Sequence, residues 1–151
     1  MAQVRCPYCH EYVEKAAFPA HESRHVKTRP DGQQTDYVTL PAEEREQGDL
    51  ADVPKVYVHR TCGAATCMPE EIIRSYLKNP YIYTANSTFC TGCGKQVPDR
   101  ECEWTETGED LQSYTKKLQA AKPEMKPKGC LAVVLFLCIV LSGVVTALAL
   151  C

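Results

Sequence analysis

Short, repeated spacings between cysteine and histidine constrain this chain more than any other feature. Cys6 and Cys9 form a CxxC, Cys90 and Cys93 form another, His59 and Cys62 form an HxxC, and His21 and His25 form an HxxxH. Two donors three residues apart share one tight turn, and two donors four apart share one face of a helical turn, so each pair can point at a common centre. Four such pairs make two complete sets of four: Cys6, Cys9, His21 and His25, then His59, Cys62, Cys90 and Cys93. The chain has 10 cysteines in 151 residues, a density that calls for either disulfides or metal sites. Cys67, Cys102, Cys130, Cys138 and Cys151 remain outside the two sets.

The choice between disulfide and metal turns on compartment, and the C-terminal segment speaks to that. From Cys130 to Cys151 there is no charged residue, so all 17 basic and 19 acidic residues precede it. As a helix those 22 residues extend about 33 Å, which matches a hydrocarbon core of about 30 Å. The segment is apolar all round, unlike a core helix with one polar face. It is therefore expected to be a single transmembrane helix, and the protein to be tail-anchored. Lys116, Lys117, Lys122, Lys126 and Lys128 flank it against the single acid Glu124. That excess predicts a cytoplasmic head and contact with anionic headgroups. Gly143 and Ala147, four apart, offer a close helix–helix approach and so a route to a homo-oligomer. A reducing cytoplasm favours metal over disulfides, and the spacings favour zinc, two ions in all.

The first set lies in CPYCHEYVEKAAFPAHESRH, with Val13 and Phe18 between its pairs. This resembles a two-Cys/two-His zinc finger over about the first 25 residues. The resemblance implies a ββα unit closed by zinc. Eleven residues separate Cys9 from His21, against about twelve in the usual pattern. Cys6-Pro7-Tyr8-Cys9 also matches the active-site tetrapeptide of glutaredoxins, the basis of an alternative reading as a dithiol oxidoreductase. Five residues before Cys6 are too few for the buried strand that such a fold needs, and no βαβ pattern follows. Nucleic-acid binding, tethered to a membrane, is the other alternative. Against it, the candidate base-contacting positions include Ala16, Ala17, Ala20, Glu22 and Ser23, and only Lys15, Arg24 and Lys27 nearby are basic. The net charge of −2 excludes a wholly basic nucleic-acid coat.

The second set reads as two knuckles. Val56-Tyr57-Val58 leads into His59-Arg60-Thr61-Cys62-Gly63, and Thr88-Phe89 leads into Cys90-Thr91-Gly92-Cys93-Gly94. Glycine after the second ligand permits the sharp turn that aims backbone N–H groups at sulfur. The pair resembles a zinc ribbon in which histidine replaces one cysteine. The long gap between Cys62 and Cys90 holds a helix over Pro69–Lys78, apolar at Ile72, Ile73, Tyr76 and Leu77 and stopped at Asn79-Pro80. Tyr81-Ile82-Tyr83 is expected to return as a strand. Cys67 is the alternative ligand to His59. The motifs lack the glutamate and proline of zinc deaminases, and four close donors leave no open position for catalysis. MPEEIIRSYLKNP and FCTGCGK resemble an uncharacterised family of small bacterial zinc-ribbon proteins. That resemblance implies a fold and no activity.

Residues 28–54 hold seven acids, two bases and three prolines, and are expected to be a solvated linker with one strand at Tyr37–Leu40. After the ribbon, Glu101–Glu106 alternates like a strand. Thr107 stands as a helix N-cap before Leu111, Tyr114 and Leu118, spaced to share one helical face. The expected organisation is a finger (1–27), the linker (28–54), a ribbon domain (55–121), a basic spacer (122–129) and the span (130–151). The fold class is a small zinc-stabilised α+β head followed by one membrane helix. No catalytic residues are indicated. The expected role is a structural or protein-binding adaptor at the membrane.

Overall fold

The computed structural model describes residues 2–30 and 32–127. The expected span, its Gly143–Ala147 pairing and Lys128 lie outside the described residues. Among the described residues no helix is long and apolar enough to cross a membrane.

The N-terminal unit is ββα. Strands β1 (Gln3–Arg5) and β2 (Tyr12–Glu14) pair antiparallel, with Val4 opposite Val13. Cys6 and Cys9 occupy the turn between them. Helix α1 (Phe18–His25) follows, with Pro19 in its first turn, where a missing N–H costs nothing. Strand β3 (Val56–His59) lies between β4 (Ala65–Cys67) and β7 (Cys102–Trp104) in a three-stranded antiparallel sheet. Strands β5 (Ser87–Cys90) and β6 (Lys95–Pro98) form a separate hairpin. Each hairpin, β3–β4 and β5–β6, turns through one knuckle.

Helix α2 (Glu70–Lys78) fills the gap between the knuckles. Its apolar face, with Ile73 and Tyr76 buried and Ile72 and Leu77 half-buried, packs with Leu50, Val53 and Leu118. Helix α3 (Leu111–Ala121) closes the other side. Leu111 joins Tyr57, Val97, Cys90, Cys102 and Trp104 in a second cluster, and Tyr114 touches both clusters. Edge-to-face rings connect them: Tyr57 to Trp104 at 5.8 Å, Trp104 to Tyr114 at 5.8 Å, and Tyr114 to Tyr76 at 6.3 Å. Such pairs add about 0.5–1.5 kcal/mol each beyond burial.

Four expectations need correction. Residues 28–54 are a solvated connection only in part. They carry one short 3-10 turn, Ala42–Glu44, yet Leu50 is 5% exposed and Thr39 7%. Neither Tyr37–Leu40 nor Tyr81–Tyr83 is a strand. These β-prone residues bond through side chains instead: the Tyr83 hydroxyl donates to the Val38 carbonyl (2.6 Å), and the Leu40 N–H donates to Ser75 Oγ (2.9 Å). The N-cap of α3 is Asp110 rather than Thr107. Its carboxylate accepts the Ser113 N–H at 2.8 Å.

Candidate metal centres

The first knuckle and helix α1 bring Cys6, Cys9, His21 and His25 together. One donor atom from each lies within 4.8 Å of every other. Cys6 and His21 are buried, His25 is half-buried and Cys9 is exposed. The two histidines are one helical turn apart, and their Nε2 atoms face each other at 3.1 Å, with Cys9 Sγ 3.3 Å from His21 Nε2. A tetrahedron with metal–sulfur bonds of about 2.3 Å and metal–nitrogen bonds of about 2.0 Å has edges of roughly 3.3–3.8 Å. The observed separations are close to those edges.

Groups outside the four complete this centre. Asp36 Oδ2 lies 2.7 Å from His25 Nδ1, and Arg24 Nη2 lies 2.6 Å from His21 Nδ1. Tyr8 stacks on the His25 ring at 5.1 Å. With Arg24 as donor to His21 Nδ1, His21 Nε2–H would face His25 Nε2, and His25 Nδ1–H would donate to Asp36. Metal on both Nε2 atoms instead needs the His21 proton on Nδ1. A guanidinium has no lone pair to accept that proton, so Arg24 would have to turn aside for metal to bind there.

The second set, His59, Cys62, Cys90 and Cys93, likewise falls within 4.8 Å. His59 Nδ1 is 3.3 Å from Cys62 Sγ and 3.4 Å from Cys93 Sγ, and Cys62 and Cys90 sulfurs are 3.4 Å apart. Cys67 is not in the cluster. It is exposed and turned toward the Met68 carbonyl, so of the two candidate fourth donors the fold presents His59. Cys102, fully buried in the adjacent core, is outside it too. None of the seven cysteines among the described residues is in a disulfide.

The second knuckle favours thiolate. Burial raises the Cys90 pKa, but the Cys93 N–H and the Cys62 and Cys93 thiols outweigh it and bring the group down to about 7. The Cys93 N–H is 3.4 Å from Cys90 Sγ. Its partner Cys93 is pushed up to about 11, chiefly by hydrogen bonding to Cys62 and then by burial. Among these clustered sulfurs, the first to take negative charge disfavours the next. A divalent cation removes that conflict. Nε2 of His59 is buried without a hydrogen-bond partner, 3.5 Å from the Glu101 carboxylate. With metal on Nδ1 that nitrogen carries the proton, and Glu101 is the acceptor within reach.

Both glycines after the knuckles take positive φ, 71° at Gly63 and 63° at Gly94, and His10 holds the equivalent place in the first knuckle at 64°. The glutaredoxin-like reading fares worse. Its opening cysteine, Cys6, is fully buried, where an attacking thiol must be reachable. Partial desolvation, with the Cys6 thiol beside it, holds the Cys9 thiol above its usual range. Every strand pair among the described residues is antiparallel. The spacings pointed to the eight donors. Asp36 and Arg24 had no such signal, Asp36 being one carboxylate among seven in its segment.

No protein family, curated protein or solved structure matches the chain. The described residues form a small α+β structure with two zinc-finger-like Cys/His centres, each able to hold a metal ion such as zinc.

Proposed function

We propose that the chain is a membrane-attached adaptor whose cytoplasmic head is built around two structural zinc ions. The observation that carries this reading is the pair of four-donor clusters. Four protein donors close a tetrahedral shell and leave no position for a substrate, so the metal serves the fold. In so small a head, binding energy at such a site is also folding energy. Residues 130–151 supply the membrane attachment, by their length and lack of charge. The flanking lysines orient it, although Lys117 pairs with Glu109 (2.8 Å) and Lys122 donates to the Leu77 carbonyl (2.5 Å). Among the described flanking lysines, Lys116 and Lys126 are left to meet headgroups. A protein, rather than nucleic acid, is the expected partner: α1 carries Ala20, Glu22 and Ser23 where base-reading side chains would stand.

One experiment separates head from anchor. The full chain, reconstituted in vesicles, is treated with a strong zinc chelator, and both flotation and far-UV circular dichroism are followed. The expected outcome is loss of head structure with the chain still floating. Unchanged dichroism contradicts structural zinc. Release from the vesicles contradicts anchoring by 130–151. Orientation is read from a cysteine introduced at the exposed Ala51 with native head thiols masked. Labelling by an impermeant reagent from outside intact cells contradicts a cytoplasmic head.

A further inference from the structure

We infer that Asp36 is a positioning residue for the first metal centre, and that the segment carrying it, residues 28–54, is a strap that couples the loading of the two centres. The inference rests on the metal-binding reading above.

Asp36 belongs to the strap and not to the ββα unit. Its carboxylate holds His25 Nδ1 at 2.7 Å, and its backbone N–H returns to the His25 carbonyl at 3.1 Å. A proton held on Nδ1 leaves the Nε2 lone pair facing the centre, in the tautomer and ring orientation a metal needs. Between His25 and Asp36 the chain forms a small hairpin. Thr28 pairs with Gln34, and the Thr35 N–H donates to the Lys27 carbonyl at 2.9 Å.

The tip of that hairpin reaches the other centre. Gly32, at φ +85°, sits so close to the second knuckle that a Cβ there would lie 2.7 Å from the Gly94 carbonyl oxygen. Gly94 follows the ligand Cys93, and its N–H closes the knuckle onto the Cys90 carbonyl at 2.8 Å. Beyond Asp36 the strap is pinned again on both sides. The Thr39 N–H donates to the Pro7 carbonyl inside the first knuckle (3.3 Å), and the Leu40 N–H to Ser75 Oγ on α2 (2.9 Å). A metal that fixes His25 thus fixes a segment touching the turn of the second centre. The second ion then orders less chain, and linkage makes the effect mutual.

Cobalt(II) is the probe, because a two-thiolate centre and a three-thiolate centre give different charge-transfer intensity per metal. The full chain in detergent, kept reduced at fixed pH, is titrated against a competing chelator. Asp36→Ala is expected to weaken the first centre by about 10–100-fold. It should also weaken the second by about fivefold or more, though it touches none of its ligands. Asp36→Asn keeps the shape and an acceptor without the charge, so it should fall between wild type and alanine. It also stands in if the alanine variant does not fold. Gly32→Ala should make filling of one centre insensitive to the other. First-centre affinity unchanged within about twofold in both Asp36 variants overturns the positioning role. A first centre weakened with the second unchanged overturns the coupling. Wild-type chain that develops no charge-transfer bands refutes the metal reading itself, a result distinct from either.

Discussion

His10, Gly63 and Gly94 occupy the same left-handed place after their knuckles, at φ between 63° and 71°, and only His10 carries a side chain there. That conformation costs an L-residue about 1–2 kcal/mol, offset by the greater entropy a glycine loses, about 0.5–1 kcal/mol. His10→Gly should therefore raise stability by up to about 1 kcal/mol, read from the denaturant midpoint of the zinc-loaded chain. A lowered midpoint would show that the imidazole contributes more than its backbone costs. Arg24 offers a second test. It competes with the tautomer that metal requires at His21, so Arg24→Gln should strengthen the first centre by about 1 kcal/mol, roughly fivefold. Unchanged affinity in chelator competition would count against this. Asp99 gives a pH signature. Burial raises its pKa from 3.8 to about 6. The folded state thus holds the proton more tightly than the unfolded chain, and the associated stability is present at low pH and lost as pH rises through about 6. Asp99→Asn should be more stable than wild type at pH 7, with the difference shrinking towards pH 4. A difference independent of pH would remove the burial explanation.

At the scale of elements, α3 depends on its true cap. Asp110 accepts the Ser113 N–H, and hydrogen bonding to Ser113 lowers its pKa. Asp110→Ala should cost about 1 kcal/mol, while Thr107→Ala, which removes only a hydroxyl accepting the Glu109 N–H, should cost less. Equal losses in thermal melts would contradict the cap assignment. Helix α2 was legible from sequence because Pro69, the acids after it, the apolar face and Asn79-Pro80 all agreed. The knuckles were legible because ligand spacing and terminal glycine repeat. Tyr37–Leu40 and Tyr81–Tyr83 misled for one reason. β-propensity reports fit to a half-buried pleated surface, and these residues fit such a surface without pairing in a ladder. Their partners are side-chain hydroxyls, Tyr83 on Val38 and Ser75 on Leu40, which no local pattern announces. The cap shifted by one turn because Thr107 and Asp110 are both good cap residues, and Gly108 between them takes φ 71°, so the helix starts only after it.

For the whole molecule, the acidic segment is the strap between the ββα unit and the strands that carry the second centre. Composition hid this, since acids and prolines read as solvated chain. The contacts that hold it are long-range: Arg5 with Glu43 and Glu44, Arg74 with the Glu46 and Gly48 carbonyls, and Leu50 in the α2 cluster. The eight donors, by contrast, follow from spacing alone, because a metal converts local spacing into tertiary structure. Metal content with ligand variants therefore tests the account most directly. Full chain purified in detergent without chelator, under reducing conditions, is quantified for protein and for zinc by elemental analysis. The expected result is two zinc ions per wild-type chain, two in Cys67→Ser and one in His59→Ala. One ion or none in the wild type, or a loss in Cys67→Ser with none in His59→Ala, would contradict it.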